Sequence, residues 1–285
     1  MGDVVFHLAL AGDWAAAQAA GEYRISTRGR TLEQEGFVHA SRLDQTAGVA
    51  GRYFAGAGPL VRLYVDRSRV TAPVVDDPVP AQNDVYPHVY GPLNLDAVIA
   101  TSPTDPEAAA DPAWAASPVP LVVGVTGHRH LLDRADVEDR VASVVRTIAA
   151  RAEPDGWQVV SALAEGADRI VTAAALAEGA GLDAVLPLEV DDYGRDFTAP
   201  GSLDEFHGLL DRAASVSVTG AWPGGERARA YANAGEAMLQ RCNVLIALWD
   251  EQPARGLGGT AEVVAAALGA GIETIVVPVH RETPA

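Results

Sequence analysis

The sequence predicts two domains of different fold class, an α+β domain followed by an α/β domain with a doubly wound parallel sheet of the Rossmann type. Residues 1–102 contain short strand patterns without regular crossover helices between them, which is typical of α+β domains. Over residues 119–285, apolar strand patterns alternate strictly with helical patterns, which indicates a parallel sheet with right-handed crossovers. Residues 103–118 are rich in proline and alanine and predict a semi-extended linker.

Composition and charge indicate a globular protein and argue against a nucleic-acid-binding or disulfide-rich one. Of the 285 residues, 48% are hydrophobic, which is enough for a core in each domain. The net charge is −17, with 38 acidic residues against 21 basic ones, and a surface of this sign repels phosphate backbones. We therefore expect no nucleic-acid partner. The single cysteine, Cys242, excludes an internal disulfide framework and fits a reducing compartment.

The sequence shows no pattern for secretion or membrane insertion. The first residues carry neither a basic segment nor a long apolar one, so no secretion signal is expected. No apolar run approaches the roughly 20 residues that a spanning helix needs. We therefore expect a cytoplasmic protein with no membrane partner. The assembly state is left open, with a homo-oligomer among the alternatives.

Short strands and two helices are expected in order along the first domain. Apolar and β-branched runs predict the strands, whereas alanine-rich or one-faced apolar stretches predict the helices. The strands are expected at 4–10, 35–41, 60–66 and 97–100. The helices are expected at 14–20 and from either Ser41 or Asp44 onwards. Residues 72–87 are rich in proline and aspartate and predict a loop.

Histidines are the candidate functional residues of the first domain. His7, His39 and His88 each lie in or beside an extended stretch, and Ser41 follows His39 closely. Near neutral pH a histidine supplies both a donor and an acceptor nitrogen, which suits binding a ribose or polarising a leaving group. One interpretation is a single cleft lined by these four residues. The other is three separate histidines, each partly buried and satisfied in its own surroundings.

Three blocks of the first domain resemble the domain of unknown function family 952. They are Phe6-His7-Leu8 followed by Trp14, then Glu35 to Ser41, then Tyr86 to Leu93. That family is similar in fold to ADP-ribosyltransferases and RNA 2′-phosphotransferases, whose split sheet clasps NAD or an ADP-ribosyl group. The resemblance implies that His7, His39, Ser41 and His88 line the cleft. The transferase pattern usually ends in a catalytic glutamate, and the His88 block contains none.

The second domain is expected to begin with a buried strand that ends at Thr126. A stripe of apolar residues from Val137 to Ile148 predicts the following helix. Further strands are expected at 157–163, 182–188, 215–219, 243–249 and 274–279, and further helices ending at 178 and spanning 203–213, 226–241 and 261–269. The acidic segment 189–196 is expected to be a loop.

Three loops of the second domain carry the residues expected to bind a phosphorylated ligand. In a doubly wound sheet, ligands bind outside the carboxyl ends of the strands. Glycines there allow close approach of a ligand, and free amides at a helix N-terminus favour anions. The candidates are Thr126, Gly127, His128 and Arg129 in the first loop, Gly166 and Asp168 in the second, and Gly258, Gly259 and Thr260 in the third. Two structural alternatives stay open, since Gly-Gly-Thr is also a common helix cap and Asp168 also fits a cap of its own helix.

The same loops resemble the SLOG superfamily, a nucleotide-binding Rossmann-like group. It contains the Lonely-Guy phosphoribohydrolases, the DprA-like proteins and the ADP-ribose-sensing domains of some channels. In the phosphoribohydrolases a PGGxGTxxE block binds phosphate and supplies a catalytic glutamate. The resemblance implies Glu262, with Glu165 as a second candidate, as catalytic residues. Here Glu262 follows Thr260 by two residues rather than three, which rotates it by about 100° on a helix.

The sequence therefore predicts a protein that binds or senses a nucleotide, NAD or an ADP-ribose derivative through two ligand-binding domains. The alternatives are a hydrolase of N-glycosidic or phosphoribosyl bonds, an ADP-ribosyl-processing enzyme, and a scaffold without catalysis. The expected partner is a small-molecule nucleotide or ADP-ribose-like ligand of undetermined identity. No metal is expected, because neither the His128-Arg129-His130 segment nor the acidic loop has companion residues at ligand spacing.

Overall fold

The structure is a computed structural model that describes residues 3–114, 121–152, 156–220, 227–254 and 256–281. The chain forms two compact units, Met1–Ser117 and Pro118–Ala285. No helix in these described ranges is both long and apolar enough to cross a membrane.

The first unit is built from short strands and short helices. Its strands are β1 (Val4–Leu10), β2 (Glu22–Tyr23), β3 (Ile25–Thr27), β4 (Arg30–Thr31), β5 (Val38–His39), β6 (Leu60–Asp66), β7 (Val74–Val79), β8 (Asp84–Val89), β9 (Leu93–Asn94) and β10 (Val98–Thr104). Its helices are α1 (Ala11–Ala20), α2 (Leu32–Glu35), α3 (Thr46–Val49), which continues as a π-helical turn, and α4 (Pro106–Ala110).

Within the first unit, β6 is the central strand and pairs antiparallel with β1 and β10. Its register with β1 runs from Val4 opposite Asp66 to Leu10 opposite Leu60. A second small sheet has the order β5-β8-β7. The alternating apolar side chains of β1 and β6 are buried against α1, which ends at Gly21 in the left-handed conformation (φ 86°). The strands expected at 4–10 and 60–66 are confirmed.

Two predictions for the first unit were wrong. Residues 72–87, expected to be a loop, contain β7 and most of β8. Pro78 is tolerated in β7 because β7 is an edge strand of its sheet, where a missing donor costs little. The second error concerns 103–118, expected to be an extended spacer. Residues 103–114 instead complete β10, form α4 and end in a turn at Pro112–Trp114, whereas 115–118 lie outside the described residues.

The stretch after β10 is folded because its polar and aromatic residues find local partners. The Asp105 carboxylate caps α4 by accepting the Ala108 N–H at 2.8 Å. Trp114 is buried, with the Arg62 guanidinium 3.4 Å from the centroid of its ring and Phe6 edge-on at 5.3 Å. The proline and alanine content suggested an extended spacer. The segment is folded instead, because Asp105 caps α4 and Trp114 is buried.

The second unit is an α/β layer structure, as predicted. Its strands are β11 (Leu121–Gly127), β12 (Trp157–Ser161), β13 (Gly181–Leu186), β14 (Ser215–Val218), β15 (Val244–Trp249) and β16 (Glu273–Pro278). Its helices are α5 (Arg134–Ala149), α6 (Ala167–Ala177), α7 (Val190–Tyr193), α8 (Ser202–Leu210), α9 (Arg227–Leu239) and α10 (Thr260–Gly269). The segment expected to be an acidic loop, 189–196, holds α7 and a 3-10 turn at Gly194–Asp196 instead.

These six strands form a parallel sheet in the order β16-β15-β11-β12-β13-β14. The chain moves outward from β11 to β14 and then returns to the other side of β11 for β15 and β16. The sheet is therefore doubly wound, and its direction of winding reverses between β11 and β15. In such sheets a crevice opens at the carboxyl ends of the two strands that flank this switch point.

Candidate functional site

A cavity of about 860 Å³ lies at the switch point of the second unit. Its walls come from the loops after β11, β12 and β15 and from residues of α7 and α9. Most residues expected from the sequence to bind a nucleotide line it, namely Thr126, Gly127, His128, Arg129, Asp168, Gly258, Gly259 and Thr260. The three loops thus meet at one place. Its volume is within the roughly 300–1,000 Å³ that is usual for ligand sites.

Gly166 is absent from the described lining of this cavity. It instead allows the loop after β11 and the loop after β12 to approach each other. Its φ is 77°, and a β-carbon at this position would collide with the carbonyl oxygens of Arg129 and His128. The next residue, Ala167, donates its N–H to the His128 carbonyl at 3.1 Å. Glycine is needed here because the loops after β11 and β12 touch through their backbones.

The two glutamates considered as catalytic residues are also missing from the described cavity wall. The Glu262 carboxylate accepts the Gly258 N–H at 2.8 Å and so braces its own loop. The Glu165 carboxylate accepts a hydrogen bond from the Ser202 hydroxyl. Ser202 in turn lies 2.9 Å from a guanidinium nitrogen of the buried Arg169. Both carboxylates are therefore engaged in holding local structure.

His128 and Asp250 lie opposite each other across the switch point. Nε2 of His128 is 2.9 Å from Oδ1 of Asp250, and Nε of Arg281 is 2.7 Å from Oδ2. Burial by itself would raise the pKa of Asp250. The hydrogen bonds from His128 and the Gln252 amide, with the charges of His128 and Arg281, outweigh burial and lower that pKa.

Asp168 is a buried carboxyl group in the cavity wall. It is 6% exposed and accepts the Ala164 N–H at 3.2 Å, in a loop where Leu163 has the unusual φ of 58°. Burial raises its pKa to about 6, although the Ala164 amide and the charges of Arg129 and Arg169 act in the opposite direction. Such a group is a candidate functional residue because it titrates near neutral pH within a cavity.

Residues of α7, of α9 and of the Gly194–Asp196 turn complete the cavity, and the aromatic ones among them were not identified from the sequence. The Arg129 guanidinium lies 5.2 Å from the centroid of the Tyr231 ring, and the Tyr231 hydroxyl donates to Asp196. Arg227 pairs with Asp192 at 2.9 Å and Asp196 at 2.8 Å. A tyrosine three residues before Asp196 and another four after Arg227 were the only sequence signals for this wall.

The first unit has a smaller cavity of about 90 Å³. His7, His39, Ser41 and His88 all line it. The structure therefore brings together the four residues named from the sequence as one cleft. Its volume is below the roughly 300–1,000 Å³ that is usual for ligand sites. The ADP-ribosyltransferase-like clasp implied by the resemblance stays a prediction.

Hydrogen bonds connect the rings of the three histidines to neighbouring groups. Nδ1 of His7 lies 2.6 Å from the His39 carbonyl, and its Nε2 lies 2.8 Å from the Tyr23 hydroxyl. Burial lowers the pKa of His7 to about 4. Nδ1 of His39 lies 3.3 Å from Nε2 of His88. Burial, and then the charge of His88, lower the pKa of His39.

Asp77 and Tyr90 extend this network and were missed by sequence reasoning. Nδ1 of His88 lies 2.9 Å from Oδ2 of Asp77, which also accepts the Tyr90 hydroxyl at 2.8 Å. The bonds from His88 and Tyr90 lower the pKa of Asp77. Asp77 lies on β7, in the stretch expected to be a loop, and β8 places His88 beside it. Because β7 and β8 were not predicted from the sequence, nothing indicated that Asp77 and His88 would be neighbours.

Metal binding finds no support among the described residues, since no group of three or more His, Cys, Asp or Glu side chains there is arranged to hold an ion.

Comparison with known proteins finds a family match for the first unit. Residues 8–101 match the family model described as "Protein of unknown function (DUF952)". Protein CC0527 from Caulobacter crescentus is 24% identical over 36% of this chain and 87% of its own, with a TM-score of 0.33. The expected relationship of the first unit to this family is confirmed. No curated protein matches the chain.

Two DNA processing protein A (DprA) structures are also similar. The one from Streptococcus pneumoniae is 19% identical over 54% of this chain and 49% of its own, with a TM-score of 0.40. The one from Helicobacter pylori, described with a single-stranded DNA binding mode, is 16% identical over 55% of this chain and 64% of its own, with a TM-score of 0.39.

The single-stranded DNA binding described for the Helicobacter pylori protein contradicts our expectation that nucleic acid is excluded as a partner. That prediction was wrong because it took the net charge of −17 as a property of every surface. Charge is distributed unevenly, and the switch-point cavity is lined by Arg129, Arg195, Arg227 and Arg281 beside Asp168 and Asp196, with Arg227 and Arg281 already paired to aspartates. A local group of arginines can attract phosphate on a protein whose total charge is negative.

Proposed function

We propose that the second unit binds a small phosphorylated ligand of the nucleotide class in the switch-point cavity. The observation that carries this proposal is the meeting of three glycine-bearing loops around about 860 Å³ at the carboxyl ends of β11 and β15. This is where doubly wound sheets bind their ligands. The volume of the cavity suits a nucleotide. Within this ligand class, we propose NAD or an ADP-ribose derivative as the more specific candidate.

The phosphate is assigned to the N-terminus of α10. Gly258, Gly259, Thr260 and Ala261 line the cavity there. Thr260 and Ala261 are the first residues of the helix, so their N–H groups have no carbonyl within the helix to bond. Free amides and the positive end of the helix dipole favour an anion. Glu262, by holding the Gly258 N–H, keeps the loop in the shape that presents these amides.

Arg129 supplies the cationic side of the site. It lines the cavity, and the ring of Tyr231 supports its guanidinium at 5.2 Å. Arg227 is less available, because Asp192 and Asp196 already neutralise it. A planar guanidinium next to helix amides matches the oxygens of a phosphate.

Binding is favoured over hydrolysis. A phosphoribohydrolase needs a carboxylate free to act on the glycosidic bond. The carboxylates of Glu165 and Glu262 are engaged by Ser202 and by the Gly258 amide. We therefore assign the unit a binding or sensing role.

Isothermal titration calorimetry tests the proposal. Adenosine 5′-monophosphate, ADP-ribose, NAD and inorganic phosphate are titrated into the full-length protein, with a short single-stranded oligonucleotide in parallel. We expect saturable binding of at least one nucleotide, weakened about tenfold by Arg129→Ala, since a hydrogen bond to a charged group is lost. Arg212→Ala, at an exposed position after α8, is the matched control and should bind as the wild type does.

Two results would contradict this assignment. The absence of binding and of any thermal stabilisation at millimolar nucleotide would overturn the binding role, because a ligand well above its dissociation constant must raise stability. Chromatography of the mixtures checks for turnover. The release of a free base that Glu262→Gln abolishes would replace the sensing role with a hydrolase.

A further inference from the structure

The wall of the switch-point cavity contains a buried hydroxyl group that no atom of the described residues satisfies. Tyr193 is 0% exposed and lines the cavity together with Asp168. In the described part of the chain its hydroxyl oxygen is buried without a hydrogen-bond partner. The centroid of its ring lies 4.8 Å from that of Phe197 and 5.7 Å from that of Phe206, and these two contacts hold the ring in place. Buried polar groups are almost always bonded, so this hydroxyl calls for a partner from outside the protein.

Asp168 is the second polar group of this wall, and its environment complements that of Tyr193. The carboxylate accepts backbone hydrogen bonds, among them the one from the Ala164 N–H, and its two oxygens have capacity for more. Burial raises the pKa of the Tyr193 phenol, and the charge of Asp168 raises it further. The phenol therefore stays protonated and can donate a hydrogen bond, whereas the carboxylate can accept.

We infer that Asp168 and Tyr193 form a subsite for sugar hydroxyl groups within the cavity. A hydroxyl group donates to the Asp168 carboxylate and accepts from the Tyr193 phenol, and a vicinal pair satisfies both at once. This inference rests on the proposed function, because the sugar belongs to the phosphorylated ligand.

Charge excludes the other classes of ligand group from this subsite. An anion would lie against the Asp168 carboxylate, and burial makes that repulsion stronger. A cation would meet the charges of Arg129 and Arg169, which already act on Asp168. A neutral group with both donor and acceptor capacity remains, and among the parts of a nucleotide the ribose carries two such groups side by side. The base and the phosphate are thus assigned to other parts of the cavity.

The test compares adenosine 5′-monophosphate with its 2′-deoxy and 3′-deoxy analogues by calorimetry. Against wild-type protein we expect at least one analogue to bind about tenfold more weakly, because the groups in the wall are then left unpaired. Tyr193→Phe and Asp168→Asn should each remove this preference. Tyr53→Phe, at an exposed tyrosine of the first unit, is the matched control and should keep the preference.

The outcomes separate this inference from the proposed function. Equal affinity of wild-type protein for all three nucleotides would overturn the hydroxyl subsite and leave nucleotide binding in place. The absence of binding for all three, and for phosphate, would overturn both. Folding of the variants is checked by thermal unfolding. Tyr193→Phe removes a hydroxyl that forms no protein hydrogen bond, so its melting temperature should equal or exceed that of the wild type.

Discussion

Nε2 of His128 lies 2.9 Å from Oδ1 of Asp250, which ties the loop after β11 to the end of β15. The other carboxylate oxygen of Asp250 pairs with Arg281, after β16, at 2.7 Å. Three neighbouring strands of the parallel sheet are thereby linked at their carboxyl ends. His128 and Arg281 both line the cavity, so this linkage also fixes the shape of the proposed ligand site.

Asp250→Asn should make the protein less stable at neutral pH and less sensitive to acid. The pKa of Asp250 is lower in the folded state than its ordinary value of 3.8. The group therefore stabilises the fold above that value, and the stabilisation is lost as the pH falls through it. We expect Asp250→Asn to cost about 1–3 kcal/mol at pH 7, for the loss of charged hydrogen bonds. Thermal unfolding from pH 7 to pH 3 measures both effects, and parallel curves for the two proteins would contradict them.

His7 should make stability fall on mild acidification. Its pKa is lowered from 6.5 to about 4 by burial, so the unfolded chain takes up a proton over this interval and the folded chain does not. The contribution of His7 to stability is complete above pH 6.5 and declines towards pH 4, by about 3 kcal/mol for a lowering of this size. His7→Gln should remove this contribution, so its stability should fall less on acidification than that of the wild type. His130→Gln, at an exposed histidine, should keep this contribution, and urea unfolding at several pH values compares the three proteins.

The parallel sheet and the meeting of the three loops could be predicted because they follow from periodic patterns along the chain. Alternating strand and helix patterns imply right-handed crossovers, and these place every β-to-α loop at one edge of the sheet. Gly127 and Gly259 were found in this way. Gly166 was placed correctly in its loop, yet its function is close backbone contact rather than lining the cavity.

The other parts of the site depend on long-range packing, which leaves no local pattern. Tyr193 is functional only because α7 folds over the cavity, in a segment whose acidic residues indicated a loop. Asp77 pairs with His88 only through the register of β7 and β8. For Glu262 the motif suggested catalysis, but the helix start turns its carboxylate to the Gly258 amide.

Two substitutions of Glu262 should separate bracing of the loop from catalysis. Glu262→Gln keeps an oxygen that accepts the Gly258 N–H, so nucleotide affinity should change less than about twofold. Glu262→Ala leaves that amide without its partner, so the loop loosens and affinity should fall about tenfold. Calorimetry with adenosine 5′-monophosphate compares the two variants. Equal losses of affinity would mean that the charge of Glu262, rather than its acceptor oxygen, matters.

Gly166→Ala should destabilise the protein more than the same change at another glycine with positive φ. At Gly166, where φ is 77°, the added methyl group collides with the backbone oxygens of His128 and Arg129, so we expect a loss of about 3 kcal/mol or more. Gly179→Ala is the matched control, because φ there is 84° and no atom lies within 4 Å of the new carbon. The control bears only the conformational cost of about 1–2 kcal/mol. If urea unfolding shows that Gly166→Ala and Gly179→Ala lower the free energy of unfolding equally, the contact between the two loops is contradicted.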